Sequence, residues 1–419
     1  MKRAIAAMAA VGAAVAMLTG CAASSSGSSG QHVTLTFWHG YTADDGKKLD
    51  KIIDDFNKSQ RQVTVQESTK TWAVIENSLL PALTAKSGPE LVALPAEDLP
   101  VYAGKGALQD LSPWYSSSAN AKPLNKNAVT MEVVEGKKYG VPTGFVPLSV
   151  IYNKTMFQTA GITSFPKTWD EWVADAKKLT VTPAGSSTPT QYGLALPDHQ
   201  TVANGVWQTL FLEGGGTIAD EKTAKVDSSA NVKTLTYWAD AVRNDHISPT
   251  GLTGVAADNL FAAGKAAMEI AGPWMPATAT DNHISWGLAP VPAGPVTQAA
   301  SAIGVSMGIT AQANSAQKAA AEKFFDYFYS KKVDTEWSLG SGWPPLRTDI
   351  PASDVSSNAV VAALTKMSSL ARPLLPGVVD SSDVLSAVDD ATQHAISGGE
   401  SADAALKTAQ SAAQAALSK

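Results

Sequence analysis

From Val33 onward the apolar residues switch repeatedly between a period of two and a period near 3.6, and few folds accommodate that. Residues 33–37 alternate apolar and polar side chains, as a strand with one buried face requires. In GKKLDKIIDDFNKSQ, residues 46–60, Leu49, Ile52, Ile53 and Phe56 recur at i, i+3, i+4 and i+7 and line one side of a helix. QVTVQES (62–68) alternates again, a helix follows over 74–85, and PELVALPA (89–96) reads as a buried strand. Strand and helix taking turns across short connections predict an α/β architecture on a largely parallel sheet. Further on, 301–310 reads as a strand, 315–332 as a helix burying Phe324, Phe325 and Phe328, and the Ala-rich 402–418 as a helix. No internal repeat and no long Pro/Gly linker divides the 419 residues, which suits two lobes that exchange the chain more than once.

The N-terminus sets the compartment. MKRAIAAMAAVGAAVAMLTGCAASSSGSSG begins with Lys2 and Arg3, continues apolar for the length of a secretory h-region, and reaches Leu18-Thr19-Gly20-Cys21. Small residues leading into the chain's single cysteine resemble a bacterial lipobox, in which Cys21 is lipidated as the first mature residue. The Ser/Gly-rich run that follows is a flexible leash. The expected product is held by lipid on the outer face of the cytoplasmic membrane. One cysteine permits no intrachain disulfide, and six histidines scattered at 32, 39, 199, 246, 283 and 394 show no metal-ligand spacing. Neither a metal nor a cofactor is expected. A net charge of −6 without a basic run argues against nucleic-acid binding.

GVSMG (304–308) fits the G-x-S-x-G nucleophile pattern, but Ser306 lies inside an alternating strand instead of on a strand-to-helix turn, and His394 is the only later histidine. EGGG (213–216) lacks the Lys and Ser/Thr of a phosphate loop and reads as a helix end. Adjacent pairs such as Asp54-Asp55 point about 100° apart on a helix and suit a solvated face. The tryptophans carry more: of eleven, Trp38, Trp274 and Trp343 stand beside Gly or Pro corners instead of at core periods. An indole fixed at a corner can offer its face to the C–H surface of a sugar. Trp169, in PKTWDEW, is instead a packing residue at a helix start.

Five segments, in order, resemble the extracytoplasmic solute-binding proteins of ABC importers, in the branch of the maltose- and glycerol-phosphate-binding proteins. They are LTFWHGYTADDGKKLDKIIDDFNKSQ, GPELVALPAEDLPVYAGKGALQDLSPW, GKKYGVPTGFVPLSVIYNKTMFQTAGITSFPKTWDEW, FAAGKAAMEIAGPW and GSGWPPLRTDI. The resemblance implies a periplasmic-binding-protein-like type II fold: two α/β lobes around a hinge and a ligand cleft. It divides the chain into a signal peptide (1–20), an anchored linker (21–30), an N-terminal lobe (31–143 with 293–342) and a C-terminal lobe (144–292 with 343–419). Hinge passages are expected near 142–147, near 290–295 and near SGWPPLR.

By the same resemblance, ligand contacts are expected from Trp38, His39, Gly40 and Tyr41 after the first strand, from Trp72, and from Glu97 and Asp98 after the third. Phe145 and Val146 on the hinge, Trp207, Gly272 and Trp274, the backbone of Gly304 and Val305, Trp343, Arg347 and Asp380 complete the set. The maltose branch has an aromatic pair and an arginine where this chain has Leu385, Ser386 and Asp389. The glycerol-phosphate branch has an arginine where GVVDSS has Asp380. Those departures favour a neutral carbohydrate, mono- to oligosaccharide, over glycerol 3-phosphate or a glycerophosphodiester. The expected partners are an ABC permease with its ATPase and the membrane, the protein itself being a monomer and not an enzyme. An extracellular serine hydrolase at Ser306 with His394, or a purely adhesive lipoprotein, are the readings of other classes.

Overall fold

The computed structural model describes residues 32–41, 44–200, 202–379 and 381–418. Cys21, the leader and Asp380 lie outside the described residues.

The alternation at the start of the sequence produces what it predicts. β1 (Val33–His39) buries Leu35, Phe37 and His39 on one side; α1 (Asp44–Ser59) covers that side with Leu49, Ile52, Ile53 and Phe56; β2 (Val63–Thr69) lies parallel to β1. α2 (Trp72–Thr84) follows, and β3 (Leu91–Pro95) joins the other edge of β1, also parallel. Apolar side chains on both faces of β3 fit a strand covered on both sides. α3 (Leu99–Gly104) opens with Pro100 at its first turn, where a missing N–H costs nothing. The short strands β4 (Val133–Val134) and β5 (Lys137–Lys138) make a hairpin at the edge of this lobe.

The rest of the sheet departs from the parallel expectation. β6 (Val141–Pro147) and β10 (Ala300–Ile309) are antiparallel to each other, and β10 is antiparallel to β3. β11 (Ala371–Pro373) runs parallel to β10. A second sheet, β8-β7-β9, is wholly antiparallel: β7 (Ser149–Asn153) sits between β8 (Met268–Ala271) and β9 (Trp286–Ala289). Antiparallel neighbours arise because the chain returns through the hinge as strands, not as crossover helices.

Two large cores define the lobes. One is built from β1, β2, β3, α1, Phe324, Phe325, Phe328 and Trp337; the other from Leu148, Trp172, Trp207, Trp238 and the C-terminal helices. Phe145 belongs to the first core and Leu148 to the second, so the chain changes core between them. The second falls later than expected, inside β10, since Ala300 packs in the second core and Ala302 in the first. The Pro-rich 290–295 is held back by the second lobe: the amide of Val296 donates to Glu213 O (3.1 Å) and that of Trp169 to Ala293 O (3.1 Å). The third passage also moves. Leu346 and Ala371 sit in the first core and Leu375 in the second, because β11 stays attached to β10. Leu364 and Met367 pack on Val146 of the crossing strand with Leu288 of β9 and Trp343 beside them, so the stretch 343–371 touches both the first core and the second lobe.

Candidate functional site

Along one edge of β10, β3 pairs with Val305–Ile309 and β11 with Ala300–Ala302, leaving a gap between them. The chain leaving β3 turns into that gap: the Ala96 amide donates to Gly304 O (3.1 Å), and Glu97 is the next residue. Opposite, β8 ends at Ala271 and Gly272-Pro273-Trp274 starts the helix Met275–Asp281. Glu97 and Trp274 thus meet from different lobes across a cavity of about 170 Å³. Leu148, Ser301, Ala302 and Ile303 from the hinge strands, Val202 and Gly205 from the start of helix Ala203–Glu213, and Leu374 complete its lining. The Ser381 hydroxyl donates to Glu97 O (3.3 Å), a direct hydrogen bond between the lobes.

Each wall has its own chemistry. Trp274 is 37% exposed, and its indole N–H donates to Asp258 Oδ2 at 2.9 Å. Its ring lies across Gly272, where a Cβ would stand 2.0 Å from Cζ3, so the glycine is required by the ring. Behind Asp258 lies Glu269, fully buried; burial first, and the neighbouring Asp258 carboxylate second, hold it well above the usual carboxylate range. On the other wall, burial and then the charge of Glu76 raise Glu97. Burial, then Glu97 and Glu76, push Asp98 up to about 7. Glu97 lines the cavity, and Asp98 is its neighbour in the chain. No lysine or arginine lines the cavity among the described residues.

Several expected contacts fall elsewhere. Tyr41 is 2% exposed, its hydroxyl 2.7 Å from Thr143 Oγ1, and its ring packs edge-on to Trp72 and Trp337. His39 is fully buried, facing α1 and β2 instead of the cleft. Strand alternation puts Trp38 on the opposite side, half-buried against α2 and α3, with the Lys70 ammonium 4.4 Å from its ring centre. Gly40 carries Trp72: a Cβ there would stand 2.1 Å from Trp72 Cδ2. Phe145 and Val146 are core residues of the crossing strand, and Trp207 is fully enclosed with its N–H on Pro197 O (3.0 Å). Trp343 lies over Gly144 and packs on Val146. Arg347 clamps Asp349 through two bonds (2.8 and 2.7 Å) and reaches Asn120 Oδ1 and Tyr329 O, a structural cross-brace. Gly304 and Val305 sit within the paired β-ladder, Gly304 lining a narrow space beside Glu97.

So of the expected set the cavity brings together Glu97 and Trp274, with Gly272 beneath the ring and Asp98 beside the acid. Sequence reasoning missed Leu148, Val202, Gly205, Ser301, Ala302, Ile303 and Leu374. A signal existed in the small residues of ASAIG (300–304), which let a helix and a loop approach β10 closely. Ser306 is fully buried in β10 with its hydroxyl donating to Glu132 Oε1 (2.8 Å), whereas His394 stands on the surface of helix Ser381–Ser397 beside Glu400. The serine has a buried acid for a partner and no elbow geometry. Three larger cavities, of about 630, 640 and 390 Å³, share no residue with the cleft.

Two α/β lobes with a cleft between them, an indole on one wall and the Glu97 carboxyl on the other, are the architecture of a two-lobed binding protein. The chain belongs to the bacterial extracellular solute-binding protein family, whose pattern matches residues 39–335. That membership places it outside the cytoplasm. It is 25% identical over 387 residues to a binding protein of Brucella abortus, covering 90% of this chain and 92% of that one. It is 21% identical to the maltodextrin-binding protein MdxE of Bacillus subtilis, over 85% of this chain and 87% of that one. The cyclic alpha-maltosyl-1,6-maltose binding protein of Arthrobacter globiformis superposes with a TM-score of 0.83 at 24% identity, covering 92% of this chain and 99% of that structure. These relatives are binding proteins.

Proposed function

We propose that this protein is the lipid-anchored receptor of an ABC importer, taking a neutral carbohydrate between its lobes. The observation that carries the reading is the pairing of Trp274 with Glu97 in a cavity lined by no cation among the described residues. A flat, weakly polar ring suits the C–H face of a pyranose, and carboxyls read its hydroxyls. A phosphate would meet the Glu97 carboxyl and no lysine or arginine among the lining residues. Relatives that bind maltodextrin and a cyclic maltosyl-maltose support the class.

At about 170 Å³ the cleft is smaller than the ~300 Å³ at which drug-sized sites begin, so an oligosaccharide requires wider lobes than these. Closure around the ligand, with movement absorbed at 145–148, within β10 and at 371–375, then offers one surface to the permease. The permease ATPase supplies the work. Cys21 supplies the tether and the protein acts as a monomer.

The test is a calorimetric and thermal-shift screen of residues 31–419 against maltodextrins, cyclic glucans, monosaccharides, glycerol 3-phosphate and glycerophosphodiesters. Ligand at about 100-fold above Kd adds roughly 2.7 kcal/mol of stability, easily read as a shift in Tm. Saturable binding of a neutral sugar is the expected result. Binding confined to the phosphate compounds overturns the reading.

A further inference from the structure

β1, α1 and β2 converge on a cluster that the cleft does not use. His39 ends β1; Glu67 lies on the neighbouring β2, where Phe37 pairs with Glu67 and His39 with Thr69, so His39 and Glu67 share a face of the sheet. α1 packs over this face and brings Asp50 to its rim, one position beyond the buried Leu49. One ring nitrogen of His39 and one carboxylate oxygen each of Asp50 and Glu67 lie within 4.8 Å of one another.

The geometry points to a divalent-cation site at His39, Asp50 and Glu67. The carboxylates alone would be an ordinary acidic patch. The imidazole makes the difference: it is fully buried, neither ring nitrogen has a hydrogen-bond partner, and Nε2 faces Glu67 Oε2 at 3.4 Å. A buried imidazole ordinarily satisfies at least one nitrogen. A cation in the cluster would take the Nε2 lone pair and at the same time relieve two converging negative charges. No ion pair among the described residues gives Asp50 or Glu67 a lysine or arginine to do that.

The donor set selects the ion. One imidazole and two carboxylates suit a borderline ion of the Zn²⁺ type, with three protein ligands and water in the fourth place. Ca²⁺ would want six to eight oxygens, which three side chains do not provide. Zinc–ligand distances of about 2.0–2.2 Å require the donors to draw closer, and Asp50 and Glu67, both on the exposed rim, have room to rotate inward. His39 ring contacts with Phe37 (5.2 Å) and Tyr41 (6.0 Å) fix the imidazole from behind. The ion would fasten three consecutive elements together just before Gly40, where Trp72 packs.

The test uses the mature protein without a histidine tag, stripped by chelator and titrated calorimetrically with Zn²⁺, then with Co²⁺ followed by visible absorption. One saturable equivalent is expected, with a Zn²⁺-dependent rise in Tm. Glu67→Gln and Asp50→Asn, half-exposed or exposed positions that leave the core intact, should each weaken binding at least tenfold. Both should also lose the Co²⁺ band while keeping the metal-free Tm. Absence of saturable binding overturns the assignment. So does binding unchanged in both variants, or a Ca²⁺ isotherm as tight as that of Zn²⁺. The titration needs no sugar, so its outcome is independent of the carbohydrate reading.

Discussion

Two corners of the molecule are written in nearly the same way and end up doing opposite things. Trp38-His39-Gly40-Tyr41 closes β1; Ala271-Gly272-Pro273-Trp274 closes β8. Each puts an aromatic ring just past a strand end beside a glycine, yet Tyr41 is 2% exposed and Trp274 37%. The glycines explain part of it. Gly40 makes room for a ring from another element, Trp72, and that ring seals the corner. Gly272 makes room for the ring of its own corner, which covers one face and leaves the other to the cleft. Polar partners explain the rest. The Tyr41 hydroxyl finds Thr143 in the interior, whereas the Trp274 N–H finds Asp258 at the surface.

Truncating the two rings should therefore damage different properties. Tyr41→Ala removes a fully packed ring from the first core and should cost about 3–5 kcal/mol of stability, measured by denaturant unfolding. The protein that remains folded should bind ligand with unchanged Kd. Trp274→Ala should barely move Tm but should weaken ligand binding by about 2 kcal/mol or more, roughly 30-fold in calorimetry. Loss of binding in the first variant at full stability, or loss of stability in the second, breaks the comparison.

Asp98, next in the chain to the Glu97 that faces Trp274, provides a sharper test because it titrates. Asp98 sits at about 7 in the folded protein against an ordinary value of 3.8, raised mainly by burial. Below about pH 4 both states carry the proton and nothing is lost. As pH climbs toward 7 the unfolded chain releases its proton first, so stability falls by up to about 1.4 kcal/mol per pH unit across that window. Asp98→Asn should therefore match the parent near pH 4 and exceed it by at least about 1 kcal/mol near pH 7.5 in urea unfolding. An unchanged pH profile would mean that Asp98 is already charged and solvated, unlike the buried corner at Tyr41.

These contrasts also mark how far the sequence could be read. The 3.6-residue spacing of Leu49, Ile52, Ile53 and Phe56 and the alternation of 33–39 fixed the first βαβ unit, because periodicity reports which side of a single element is buried. It cannot report what stands beyond that side. His39 and Tyr41 looked like cleft residues since they follow a strand end; α1, invisible as a neighbour in one dimension, covers one and Thr143 receives the other. Trp207 and Trp274 are both indoles near glycines, and only packing separates the enclosed one from the exposed one. The hinge moved for a similar reason. Proline-rich 290–295 reads as a connector, but its Ala293 amide donates to Lys167 O and the amide of Val296 just beyond it to Glu213 O, so the chain changes core inside the ten-residue β10. Long-range pairing of this kind leaves no local pattern.

The smallest expected effect isolates the polar half of the Tyr41 corner. Thr143 Oγ1 donates to Val305 O at 3.1 Å, which leaves its lone pair to accept from the Tyr41 hydroxyl at 2.7 Å. Tyr41→Phe keeps the ring, its edge contacts with Trp72 and Trp337, and the Thr143–Val305 bond. Only an acceptor goes unpaired, and a hydroxyl oxygen that still donates tolerates that better than an orphaned N–H. The cost should lie at the low end of a single hydrogen bond, about 0.5–1 kcal/mol in denaturant unfolding. Ligand affinity should stay the same, for Thr143 lies on the crossing strand but is buried on the lobe side of it. A drop in affinity with so small a loss of stability would show instead that the Tyr41–Thr143–Val305 chain ties the first corner to the hinge, and that the two corners communicate through β10.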